Sequence, residues 1–321
     1  MALRAVTHRS TPELALFLIL SGALAGLALV GVAWAAGLDA VAARLLHYDL
    51  TWVPLAVFAE VLAYVGYTLA YREVARVEEG PELKHSRAAA LVATGFGAFI
   101  ARGGFALDLH AFRQHNVSDR EARVRVLGLG ALEYAVLAPA ACGAAILLLV
   151  ENVDVPKPAF TLPWAIGVPA GAAIVLPLLA LRRRLRASGW RDSLAQALDS
   201  IWVLRCLFVR AEHALGPAGT ALYWLGDILC LWACLRVFEP RPLGVAQLLI
   251  GYATGYALTR RTLPFAGAGA VEALLSFTLF WAGTPLAAAV LAVFLYRVIN
   301  LWLPVLPATV GLRAVRSLGT P

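Results

Sequence analysis

The sequence predicts an all-α, polytopic membrane helix bundle. Three observations carry that prediction. Several apolar runs approach or exceed the roughly 20 residues that cross a bilayer. Charged residues make up 15% of the chain against about a quarter in an ordinary soluble domain, with mean hydropathy +0.76. Lys and Arg also fall in alternate connections rather than evenly. Nineteen lie in segments read as inside, and four (Arg44, Lys157, Arg236, Arg241) in segments read as outside. That asymmetry places the chain in a cell membrane with both termini cytoplasmic. The net charge of +7 therefore speaks of membrane orientation, and no nucleic-acid partner is expected. No stretch is polar enough over enough length for a separate soluble domain, so residues 1–321 read as one membrane domain.

Taken in order, the first span is Leu14 to Ala36. The basic residues before it and its length favour a retained helix over a cleaved signal. The second runs from Trp52 to Tyr71, with Glu60 inside it, and a charged inside turn follows to Arg87. Arg87 to Phe112 is apolar but broken by Gly95, Gly97, Gly103 and Gly104. Basic segments flank it on both sides, and it is too short for two crossings. It is expected to be a re-entrant hairpin entered from the cytoplasm, with its tip at Arg102 to Gly104. Val126 to Val150 crosses outward with Glu133 inside it, and Leu162 to Leu181 returns to an arginine cluster at 182–186.

The pattern then changes. From Trp190 to Leu215 apolar residues recur at helical spacing with Asp192, Asp199, Arg205 and Arg210 between them. This reads as an amphipathic helix on the cytoplasmic surface, its arginines held by anionic headgroups. Ala221 to Val237 crosses outward and buries Asp227. Leu243 to Thr259 and Gly269 to Gly283 are two short apolar runs separated by a Gly-x-Gly break, and Pro285 to Leu306 is the last span. The halves of the domain are thus about 14–181 and 219–316, separated by the amphipathic segment at 187–215.

The stretch from Arg260 to Pro304 concentrates the chemistry. It is almost wholly apolar, yet holds Gly267, Gly269, Glu272 and Arg297. An ionised side chain at bilayer depth costs at least a few kcal/mol, so such residues face a bundle interior or a watery cavity. Irregular backbone at that depth needs protein or water to satisfy its amides. The candidate site is therefore Arg102, Gly104, Glu133, Asp227, Gly267, Gly269, Glu272 and Arg297. Arg102 and Arg297 would attract phosphate, Glu272 would partner Arg297 or a cationic headgroup, and Asp227 and Glu133 would balance the charge or hold a cationic group. Each also has a plainer reading. Glu272 could be a helix-start carboxylate, Arg297 a snorkelling arginine, and Asp227 and Glu133 structural hydrogen-bonding groups. The two broken hairpins open from opposite sides, as the halves of an inverted repeat would, and such repeats place binding sites near the midplane.

No Ser-His-Asp constellation, Walker loop or dinucleotide fingerprint occurs. Neither an enzyme nor a cofactor is expected. His110 and His115 lack the spacing of a helical ligand pair, and no metal site is expected. The four cysteines lie in apolar or amphipathic helices, without a disulfide framework.

The run Gly267-Ala-Gly269-Ala-Val-Glu272, then Tyr296-Arg297, then Trp302-Leu-Pro304, resembles the C-terminal signature of the lysylphosphatidylglycerol synthase transmembrane-region family. Trp224-Leu-Gly-Asp227 and Tyr252 resemble its preceding helices, and Arg102, Gly104, Val117-Ser118 and Glu133 its first-half signature. The resemblance runs from about Thr51 onward. It departs at Ile100, Phe105, Asp108, Tyr134 and Phe265, where the family has Pro, Glu, a basic residue, Arg and Pro respectively. Full-length synthases also carry a soluble aminoacyl-transfer domain, which has no counterpart in this sequence, so lysyl-lipid synthesis is not implied. What the resemblance implies is the flippase-like membrane part. Its ligand would be an anionic phospholipid or a polyprenyl-phosphate glycolipid. A second reading is a non-transporting membrane partner of a glycosyl- or aminoacyl-transferase, docked through the amphipathic segment.

Overall fold

A computed structural model of the protein describes residues 11–100, 109, 112, 117–151, 158–181, 190–241, 243–257 and 267–302. The described residues are helical, without strands. Helix α1 spans Thr11–Ala36 and turns at Gly37 (φ 88°), which permits the sharp entry into α2, Leu38–Leu45. Asp49 starts a short 3₁₀ turn at Leu50–Trp52 by accepting the Thr51 amide at 3.0 Å, and α3 follows as Val53–Arg76. Then come α4 (His85–Ile100), α5 (Asp119–Val150), α6 (Pro158–Leu181), α7 (Trp190–Val209) and α8 (Leu215–Phe238). The last three are α9 (Val245–Tyr252), α10 (Ala270–Trp281) and α11 (Leu286–Arg297). Helix α9 continues as a π-helical turn at Ala253–Ala257, and α11 as another at Val298–Trp302.

Among the described residues, five helices are long and apolar enough to cross a membrane: α1, α3, α5, α6 and α8. The three C-terminal helices are shorter. Helix α10 has 12 residues, a rise of about 18 Å against the roughly 30 Å of a hydrocarbon core. The expected break between two apolar runs is therefore present around the Gly267 turn. The tip of the first hairpin, with Arg102, Gly103, Gly104, Phe105 and Asp108, lies outside the described residues, as do Arg260, Arg261 and Phe265. Of the segment expected to form that hairpin, α4 is described, and it runs unbroken through Gly95 and Gly97, which do not interrupt the helix as the sequence suggested.

The centre of the bundle is the pair α3 and α8, packed along their length. Small residues make this approach possible. A methyl group on Gly66 would lie 2.4 Å from the Tyr223 amide nitrogen, and one on Gly226 would lie 2.5 Å from the Ala59 carbonyl oxygen. Lipid tails are as apolar as leucine, so helix pairing in a bilayer relies on such close backbone contact. Around this pair, α5 packs on α6, α7 and α9, while α10 and α11 pack on each other and against α1. Helix α1 presents Leu27 and Val30 outward, and α6 presents Ile166, Ile174 and Leu176. These are the surfaces that lipid tails would cover.

The amphipathic segment forms α7 but ends at Val209, before a 3₁₀ turn at Ala211–His213. Its polar residues face inward as well as outward. Arg120 of α5 bridges Asp192 at 2.8 Å and Asp199 at 3.1 Å. Those aspartates are seven residues apart and so share one helix face. Arg205 stays on the surface, its guanidinium 4.8 Å from the centre of the Trp202 ring. Helix α5 opens with a capping box, in which Ser118 accepts the Glu121 amide and Glu121 returns to the Ser118 amide at 3.2 Å. One turn on, buried Arg125 donates to the Ala75 and Val77 carbonyls at 3.2 and 3.0 Å. That closes the C-terminus of α3, whose last carbonyls lack intrahelical donors.

Candidate functional site

Asp227 sits at mid-length of α8 and is 0% exposed. Its carboxylate gathers donors from two other helices. Oδ1 accepts the Tyr296 hydroxyl at 2.8 Å and the Asn300 amide at 2.9 Å, and Oδ2 accepts the Tyr252 hydroxyl. Asn300 in turn uses its whole side chain. Its oxygen accepts the Tyr256 hydroxyl at 2.9 Å, and its NH₂ group also lies 3.2 and 3.4 Å from the two carboxylate oxygens of Glu60. One amide thus joins α3, α8, the π turn after α9 and the π turn after α11.

The second part of the site is built at the start of α10. Gly267 (φ 72°) and Gly269 (φ 85°) hold left-handed conformations that residues with a Cβ seldom adopt. The chain can then enter α10 with Gly269 as its N-cap. Glu272 is the third residue of the helix and reaches back to accept the Gly269 amide at 2.6 Å. Its other oxygen accepts Arg297 Nε at 2.7 Å. Both residues are closed to solvent, Glu272 at 0% and Arg297 at 2% exposed. Glu272 is therefore a helix-start carboxylate and the partner of Arg297 at once, and Arg297 points into the bundle rather than snorkelling outward.

The two parts are contiguous. Arg297 follows Tyr296 directly and places its guanidinium 6.0 Å from the centre of the Tyr256 ring, the outer limit of a cation–π contact. Edge-on contacts continue from Tyr296 to Tyr256 at 5.6 Å, and Tyr256 lies 5.2 Å from Tyr252. Trp224 stands over Tyr252 at 5.9 Å and donates its indole N–H to the Glu133 carbonyl at 2.9 Å. The structure thus brings Asp227, Gly267, Gly269, Glu272 and Arg297 into one polar core, with Glu133 buried beside it on α5. The acidic and basic groups converge, and their own side chains and the tyrosine rings fill the space between them. Arg102 and Gly104 lie outside the described residues.

Two contributors, Tyr256 and Asn300, are not among the candidates the sequence marks, and Glu60 is marked only as an acid within its span. A readable signal existed for them. Tyr252 and Tyr256 are four apart, and Asn300 is three beyond Arg297, so each extends a helix face already marked by a polar group. The π turns carry no comparable signal. They put Tyr256 and Asn300 opposite each other, and π turns inside helices concentrate at functional sites. The approach is tight enough that a Cβ on Gly255 would lie 2.3 Å from Thr278 Oγ1.

A lipid-embedded bundle with a buried, mixed-charge polar core between broken helices defines a multi-pass membrane protein with an internal polar site. The particular family follows from comparison. The model of the lysylphosphatidylglycerol synthase TM region matches residues 17–308, and the chain belongs to that family. No curated protein matches the chain.

Proposed function

We propose that this protein binds a lipid with a polar, phosphate-bearing headgroup and carries that headgroup across the bilayer while the acyl chains stay in lipid. The observation that carries the reading is the Arg297–Glu272 pair at the Gly267–Gly269 turn, fully buried and joined to a second acid cluster around Asp227. A buried ion pair is an expensive way to stabilise a bundle, because desolvation offsets most of the attraction. It suits a site whose partners exchange. A headgroup phosphate would displace Glu272 from the guanidinium, whose planar fork matches phosphate oxygens. Glu272 would remain held by the Gly269 amide at the start of α10. In this reading Glu272 Oε1 stands where a phosphate oxygen would bind the guanidinium.

The π turns supply a means of opening. Helices α9 and α11 both lose regular winding where Tyr256 and Asn300 meet, and irregular backbone at bilayer depth is sustained by neighbours that can also release it. The first broken hairpin, around Arg102 and Gly104, would receive the headgroup on the other side of an inverted repeat. The departures at Phe105, Asp108 and Tyr134 alter charge there, so the headgroup handled differs in charge from that of the lysyl-lipid members.

Reconstitution tests this directly. Vesicles carrying the protein and a headgroup-labelled phospholipid or polyprenyl-phosphate glycolipid should exchange label between leaflets faster than empty vesicles. Arg297→Ala should reduce the protein-dependent rate at least about tenfold, as losing one charge-assisted contact implies. Vesicles that exchange neither lipid class faster than empty ones would refute the proposal.

A further inference from the structure

Asp227 differs from the other acids of the site in what touches it. Glu272 has a guanidinium and a backbone amide, whereas Asp227 has two phenols and one amide, all neutral. The charged and titratable groups that face it are few. Glu60 on α3 reaches it through Asn300, Tyr256 stands behind Asn300, Cys230 lies one turn along α8, and Arg297 on α11 is paired with Glu272. A carboxylate fully buried among neutral donors has two stable forms. Ionised, it accepts all three hydrogen bonds. Protonated, it carries its own O–H, and its hydrogen bonds become weaker neutral ones. Those donors belong to α9, α11 and the π turn at Val298–Trp302, so the proton decides how firmly these elements are tied to α8.

We propose that Asp227 is a proton-binding site whose filling is linked to the arrival of an anionic headgroup at Arg297. This rests, for its lipid arm, on the translocation reading above. When phosphate displaces Glu272, the buried core gains negative charge without gaining a cation. Like charge at close range in a poorly screened interior favours the neutral form of a neighbouring carboxyl. The proton comes from water on the side where the headgroup enters and returns to water where the headgroup leaves. No bond other than the O–H of Asp227 is made or broken. Linkage is reciprocal, so a proton on Asp227 also tightens the hold on the anionic headgroup. Protonation further turns the charge-assisted hydrogen bonds of Asp227 into weaker neutral ones, the carboxyl O–H itself able to donate to a phenol oxygen, and so loosens the tie of α9 and α11 to α8. Lipid and proton therefore move in the same direction.

Two measurements test this separately. In vesicles, one proton per lipid means that a gradient of one pH unit shifts the steady-state leaflet ratio of labelled anionic phospholipid by about tenfold. The shift should vanish in Asp227→Asn and persist in Asp227→Glu, which keeps a titrating group. Wild-type protein that brings the lipid to an equal leaflet ratio whatever the gradient overturns the coupling. Infrared difference spectra of the detergent-purified protein, taken between mildly acid and mildly alkaline pH without lipid, read the site alone. A buried carboxyl C=O band should appear in wild type and be missing in Asp227→Asn. Its absence from wild type overturns the proton site. A band present in wild type that moves no lipid supports the proton site and removes the translocation reading instead.

Discussion

Removing the guanidinium of Arg297 leaves Glu272 as a buried carboxylate held only by the Gly269 amide. Stranding one member of a buried pair costs about 3–5 kcal/mol, far more than the net worth of the pair. Arg297→Ala should therefore lower thermal stability in detergent by that amount. The double variant Arg297→Met/Glu272→Gln should recover most of it, because both charges leave together. Equal melting temperatures for Arg297→Ala and the parent protein would show that the pair is not closed in solution. The double variant would be stable and yet unable to exchange lipid, which separates folding from headgroup contact. Asn300 stands differently. It bears no charge, but its amide bonds both Asp227 and Glu60, so its geometry bears on the distance between two acids.

Among the elements, α3 and α8 form the frame against which α9, α10 and α11 are set. Their contact depends on backbone approach at Gly66, Gly219 and Gly226, where an added Cβ meets main-chain atoms that cannot move aside. Gly226 immediately precedes Asp227, so the same contact that joins the helices also positions the acid. Gly226→Leu should destabilise the bundle by about 1–3 kcal/mol through overpacking. Gly26→Leu on α1, where an added Cβ meets nothing, should cost little. Comparable melting temperatures for the two variants would contradict the close approach. The C-terminal helices answer to a different constraint. Over the described residues each is shorter than a full crossing, and irregular backbone beside them carries Gly267, Tyr256 and Asn300.

For the whole molecule, the charge distribution of the sequence predicts that the arginine-rich connections share the cytoplasmic side. Glu82, in the turn between α3 and α4, and Glu151, just after α5, are exposed and belong to opposite ends of that topology. In a background with the four native cysteines changed to alanine, Glu151→Cys should react with a membrane-impermeant thiol reagent in intact cells. Glu82→Cys should react only after the membrane is opened. The reverse pattern would invert the orientation. Helices α1 and α6 present bulky apolar side chains outward, the faces on which lipid tails would lie.

What the sequence alone determined was the membrane class, the order and approximate limits of the helices, the broken backbone at Gly267 and Gly269, and the family to which the chain belongs. Hydrophobic period and glycine placement are local properties, and a residue such as Glu272 three positions after a glycine announces a helix start wherever it lies. Partnership is not local. Only the tertiary structure decided that Arg297 meets Glu272, that Asn300 spans Glu60 and Asp227, and that Arg120 takes the aspartates of α7. The physical reason is range. Spacing within one run tells which residues share a face, as Tyr296 and Asn300 do, but which face of another helix they meet is set by packing between segments far apart in the chain.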